Sequence, residues 1–135
     1  MFKLSRQYLI AGGVFSVESD RTGKSLTFQT KRPKSVSEKE PGGPRFVTVK
    51  DGVKFALIGI LDTTDGSFRS TKSSAGYETQ VKAFQWVTSA VWSGKTPGRC
   101  RVTHDGVCCR CGRRLLDPES VELGIGPTCR KLAGW

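Results

Sequence analysis

All five cysteines of this 135-residue chain, Cys100, Cys108, Cys109, Cys111 and Cys129, fall in its last 36 residues. No other feature limits the fold as strongly. Disulfides spread through a small domain to staple it, whereas a metal site gathers its ligands in one stretch. An odd number also cannot pair completely within one chain. The distribution points to a metal and to a reducing compartment. Cys108-Cys-Arg-Cys111-Gly112 contains C-x2-C followed by glycine. That spacing lets two thiolates face one Zn2+ from a tight knuckle, and the glycine permits the turn that aims backbone N–H groups at sulfur. Cys109, between the two, should point away from the ion.

A closed tetrahedral site needs two more donors. Cys129 follows Gly124-Ile-Gly126-Pro127-Thr128, where Pro127 suits the first turn of a helix. A thiolate in that turn is favoured by the partial positive charge of the helix N-terminus. For the last position His104, the only histidine in the chain, competes with Cys100. His104 is preferred because it lies four residues before Cys108. The expected set is His104, Cys108, Cys111 and Cys129. Four protein ligands leave no place for water or substrate, so one zinc ion bound this way would be structural. In the interval before Cys129, Leu115 and Leu116 are expected to pack beneath the site. Asp117 suits a helix N-cap, Pro118 the next position and Gly124 a left-handed C-terminal cap. So small a segment cannot bury enough apolar surface alone, and zinc would supply its folding energy, about 10–16 kcal/mol of apparent binding.

Upstream of the cysteines the patterning is that of a sheet and one helix. Residues 14–18 and 25–30 alternate apolar and polar around the turn Asp20-Arg-Thr-Gly23, which reads as a hairpin. Residues 31–45 form a long charged loop with Lys31, Arg32, Lys34, Lys39 and Arg45. Residues 46–50 read as a strand, and Asp51-Gly52 as a tight turn. The continuous apolar run Phe55–Leu61 suits a strand buried on both faces. Asp65-Gly66 turns once more into residues 67–70. Between 78 and 92 the period changes: Val81, Phe84, Thr88 and Val91 recur at helical spacing, with Trp86 and Trp92 expected in the same packing. The expected fold is α+β. An antiparallel sheet of about five strands packs on one helix over residues 1–97, and a treble-clef-like zinc knuckle follows over 98–135.

His104-x-Gly106-x-Cys108-x-x-Cys111-Gly112-Arg113-x-Leu115-x-x-Pro118-x-Ser120, followed by Gly124-Ile125-Gly126-Pro127-x-Cys129, resembles the zinc-binding domain of unknown function common in small bacteriophage proteins. The resemblance implies His104, Cys108, Cys111 and Cys129 as ligands, a phage or prophage origin, and action in a bacterial cytoplasm. It implies no particular activity.

Charge narrows the function. Twenty-two Lys and Arg against twelve Asp and Glu leave a net +10, the electrostatic footprint of a nucleic-acid binder. Arg99, Arg101, Arg110, Arg113, Arg114, Arg130 and Lys131 surround the cysteines, and Lys31, Arg32 and Lys34 form a second group. Cations fixed by a rigid knuckle can hold phosphates without reading sequence. Single strand and duplex remain equally open at this point. The alternative is a protein-interaction module that inhibits or redirects a host enzyme or defence complex, which would show an exposed apolar patch. Catalysis is not expected. A single histidine excludes any centre built on two, and no Ser–His–Asp set, Walker loop or paired-carboxylate motif occurs. No stretch reaches the ~18 apolar residues of a membrane span. Residues 8–15 resemble a signal peptide only faintly, being short and interrupted by two glycines, and no cleavage is expected.

Overall fold

The computed structural model describes residues 2–35 and 42–135. Lys39 of the charged loop lies outside them. The first element is a short helix, α1 (Arg6–Ala11), whose N-cap Ser5 hydroxyl accepts from the Tyr8 N–H at 3.1 Å. Five strands follow as a meander: β1 (Val14–Ser19), β2 (Ser25–Lys31), β3 (Pro44–Asp51), β4 (Lys54–Asp62) and β5 (Phe68–Ser70). They match the expected order. A further strand, β6 (Cys100–Thr103), pairs antiparallel with the free edge of β1. The sheet order is therefore β5-β4-β3-β2-β1-β6. Sequence patterning misses β6 because four residues carry too little alternation; the unpaired edge of β1 makes them a strand. The boundary expected at residue 97 thus falls three residues before a strand that completes the sheet.

Alternation along the strands sorts the sheet into two faces. Phe15 and Val17 of β1 stand opposite Phe28 and Leu26 of β2, and Phe28 stands opposite Val49 of β3. These residues, with Val47, Ile58 and Leu61, make the inner face of the core. The helix α2 (Glu78–Trp92) covers it with Phe84, Val87, Thr88 and Val91, as the periodicity predicts. Phe84 is the centre of this contact, with ring centroids 5.0 Å from Phe68, 5.4 Å from Phe28 and 6.4 Å from Phe15. The buried Thr88 hydroxyl donates to the Phe84 carbonyl at 3.0 Å, so its burial leaves no unmet donor.

Three expectations need correcting. Trp86 is not in the core: it is 55% exposed, and its indole N–H donates to the Gly98 carbonyl. Arg45 does not belong to a solvated loop. It opens β3 and is only 1% exposed, with Nε donating to the Ile10 carbonyl at 2.8 Å and Nη1 to the Pro44 carbonyl at 3.0 Å. Finally, β4 is buried on one face only. Ile58 and Leu61 are wholly buried, whereas Phe55 is exposed and Leu57 and Ile60 are half-buried. No helix among the described residues is long and apolar enough to cross a membrane.

Replacing Phe84 by Ala should remove the contact between α2 and the sheet and cost about 3–5 kcal/mol of unfolding free energy. The exposed Trp86→Ala should cost less than about 1 kcal/mol. Denaturant unfolding of the two variants would test this difference.

Candidate metal centre

The knuckle follows directly from β6. Val107 and Arg114 form a β-bridge, the Cys108 N–H donates to the Arg113 carbonyl at 2.8 Å, and the Gly112 N–H donates to the Cys108 carbonyl at 2.9 Å. Gly112 adopts φ +76°, which closes the tight turn after Cys111 at no side-chain cost. Next comes α3 (Pro118–Leu123), and its ends form as the sequence dictates. The Asp117 carboxylate accepts from the Ser120 N–H at 3.0 Å, and Gly124 ends the helix in the left-handed region. Hydrogen bonding from Ser120, side chain and backbone together, holds the Asp117 carboxyl below its ordinary range. Pro127 then opens α4 (Pro127–Ala133), with Cys129 in its first turn.

These elements bring Cys108, Cys111 and Cys129 together, with their sulfurs all within 4.8 Å of one another. Two thiolates on one tetrahedral zinc, at about 2.3 Å each, stand roughly 3.8 Å apart. The donor set therefore fits a thiolate-binding ion such as zinc. Local electrostatics favour the anion at Cys108, whereas burial pushes the Cys129 thiol up. Burial pushes the Cys108 thiol up, but backbone N–H donors from Gly126, Cys111 and Arg110 outweigh it and bring the pKa down to about 7. The Gly126 N–H lies 3.5 Å from Cys108 Sγ, and Arg110 Nη1 lies 3.7 Å from Cys129 Sγ.

His104 is not brought to the three thiols. Its Nδ1 accepts from the Gly106 N–H at 2.9 Å and its Nε2 is 2.7 Å from the Val121 carbonyl, so both ring nitrogens are engaged. The imidazole, edge-on to Phe2 at 4.4 Å, ties the start of the knuckle to α3. Cys100, the other candidate, lies in β6 opposite Ser19. Cys109 is not one of the three grouped sulfurs. It belongs to the edge of the sheet core, where burial pushes its thiol up to about 12. Leu115 packs beside Cys108, Ile125 and Cys129, but Leu116 is 87% exposed rather than beneath the site.

The module is joined to the sheet by close packing. A Cβ on Gly13 would come 2.7 Å from the Tyr8 ring and 2.8 Å from the Cys109 Cβ, so only glycine lets β1 enter between them. A Cβ on Gly124 would approach the same ring to 2.5 Å. The Cys109 N–H donates to the Gly124 carbonyl, and the Lys3 N–H to the Glu122 carbonyl. A cavity of about 370 Å³ lies beside this junction. Its lining includes Lys31 and Arg32 from the end of β2 and Val107, Cys108 and Cys109 from the knuckle. The fold thus brings Lys31 and Arg32 beside the knuckle, where Asp105 lines the same cavity.

The other basic residues differ in surroundings. Arg99, Arg113, Arg114, Lys131 and Lys34 are exposed. Arg101 is paired with Glu18 at 3.2 Å, and the half-buried Arg130 lies 3.7 Å from Glu119. These two carry less available charge than sequence alone suggests. Arg110 is exposed but directed at Cys129 Sγ.

Residues 103–134, which contain all three clustered cysteines, match a family of unknown function, DUF6011. No curated protein and no solved structure matches the chain.

Cys111→Ser should abolish metal binding and open the segment around the knuckle, whereas His104→Ala should retain the ion. Native mass spectrometry and thiolate absorption of the cobalt-substituted protein would test both; metal loss in the histidine variant would reinstate it as a ligand. Affinity should fall steadily on acidification, because protons compete for the thiolates.

Proposed function

We propose that this chain is a non-enzymatic nucleic-acid-binding protein of bacteriophage origin, working in the host cytoplasm, whose knuckle is stiffened by one structural zinc ion. The observation that carries the nucleic-acid reading is the meeting of Lys31 and Arg32 with the knuckle across one cavity, in a chain of net charge +10. Cations borne on a rigid support lose little freedom when they meet phosphates, and the resulting binding is insensitive to sequence. Three clustered cysteine sulfurs, with backbone donors around Cys108, support the zinc assignment. The non-enzymatic reading is supported by the one imidazole, which is committed at both nitrogens and not poised as a base. The phage origin rests on the sequence resemblance of residues 104–129.

Joint replacement of Arg113 and Arg114 by Ala should weaken nucleic-acid binding and flatten its salt dependence, by about 0.7–0.9 in log–log slope for each phosphate that is no longer neutralised. The zinc content should not change. Fluorescence anisotropy at several salt concentrations reads both affinity and slope. Equal affinity and slope in wild type and variant would remove the knuckle as a phosphate-binding face. Failure of the wild type to bind any nucleic acid would turn attention to a host protein partner.

A further inference from the structure

We propose that the outer face of the sheet is a platform for single-stranded nucleic acid, with bases stacking on Phe46 and Phe55 and Lys31, Lys50 and Arg69 holding the phosphates. This rests on the nucleic-acid reading above and specifies the strand form. The helices bury the inner face, while the outer residues of β1 to β5 are half-buried or exposed throughout. That face is nevertheless rich in apolar groups. Val14, Phe46, Phe55, Leu57 and Ile60 all lie on it, and both phenylalanines are 39% exposed.

A backbone irregularity produces this arrangement. The register between β3 and β4 shifts after Val47, which pairs with Gly59, while Thr48 pairs with Leu57. The unpaired Ile58 goes to the core. Leu57 and Ile60, three apart, thereby share the outer face; regular alternation would have separated them. The apolar run that reads as a doubly buried strand instead places part of itself on an open surface.

The pattern on that surface matches a flexible polyanion that carries flat bases. Lys31 stands opposite Phe46, Phe46 opposite Ile60, and Ile60 opposite Arg69, one row across four strands with a cation at each end. A second row runs Val14, Gln29, Thr48, Leu57, and Lys50 stands opposite Phe55. Rings beside cations, with hydrogen-bonding Ser16, Thr27, Gln29 and Thr48 between, are the elements of a stacking groove. A duplex hides its base faces in its own stack and could use only the cations, so the exposed rings select a single strand. Three acids occupy the margins: Glu18, Asp62 and, in the cavity beside the knuckle, Asp105. Glu18 is paired with Arg101, and Asp62 accepts from the Thr64 N–H at 2.9 Å. Val14, Gln29 and Lys31 also line the cavity beside the knuckle, so the platform continues toward Arg32 and the metal module.

The test uses the full-length zinc-loaded protein and labelled oligothymidylate and oligouridylate of about 16 nucleotides, with a duplex of equal length as control. Phe46→Ala and Phe55→Ala should each weaken single-strand binding about tenfold, while duplex affinity stays unchanged. Phe46→Tyr, which keeps a ring, should bind nearly as wild type. Metal content and thermal unfolding of each variant establish that it folds. The two single strands report whether DNA or RNA is preferred. Wild-type binding with unchanged affinity in the double variant Phe46→Ala, Phe55→Ala would overturn the platform and leave the knuckle reading intact. No wild-type binding to any nucleic acid would overturn both. Self-association in sedimentation that Phe46→Ala abolishes, without an effect on single-strand binding, would assign the face to a second copy of the chain.

Discussion

Tyr8 donates its phenolic hydrogen to the Val14 carbonyl at 2.8 Å while its ring is enclosed by Phe2, Phe15, Gly13 and Gly124. The sheet and the metal module are held in register by this seat. Val14 begins β1, and Gly124 ends α3, so one side chain touches the starting point of the sheet and the turn that leads to Cys129. Burial pushes the phenol well above its ordinary pKa, so the hydroxyl remains a donor across the physiological range. The two glycines beside it have no room for a methyl group. A residue from a six-residue helix thus determines how a basic knuckle faces the end of a sheet.

The two parts draw stability from different sources. The sheet and α2 enclose a continuous cluster of aromatic and branched side chains around Phe84. The second cluster contains Cys108, Ile125 and Cys129, with Leu115, Leu123, Cys109 and Trp135 around it. Such a small cluster buries little apolar area, and a metal held by the three cysteines would add what packing cannot. Cys109 and Trp135 contact both clusters, so the cysteine cluster and the core are mechanically continuous. In the functional reading this continuity matters, because cations on a rigid frame hold a strand in one orientation while a sheet face receives its bases.

Local signals were legible from the chain. The meander, the boundaries of α2, the Asp117 cap, the left-handed Gly124 and the grouping of Cys108, Cys111 and Cys129 depend on period, spacing and turn chemistry within short stretches. Two departures involve partners distant in sequence. His104 is near the knuckle along the chain, but Val121 offers its carbonyl to the same ring and draws it to α3. Arg45 reads as a loop charge until the Ile10 carbonyl accepts from it inside the fold.

Sequence by itself determined the strands β1 to β5, the helices α2 to α4, most of the turns, and which three sulfurs can share an ion, since each follows from residues a few positions apart or from a motif with little geometric freedom. Tertiary structure alone decided which face of the sheet stays open, that β6 completes the edge of β1, and that Lys31 and Arg32 meet the knuckle. A single extra residue in β4 exchanges faces for everything beyond it, and no composition or period reveals which strand absorbs it. Pairing across the sheet and packing around Tyr8 settle these questions because they are free-energy differences between long-range arrangements that share the same local pattern.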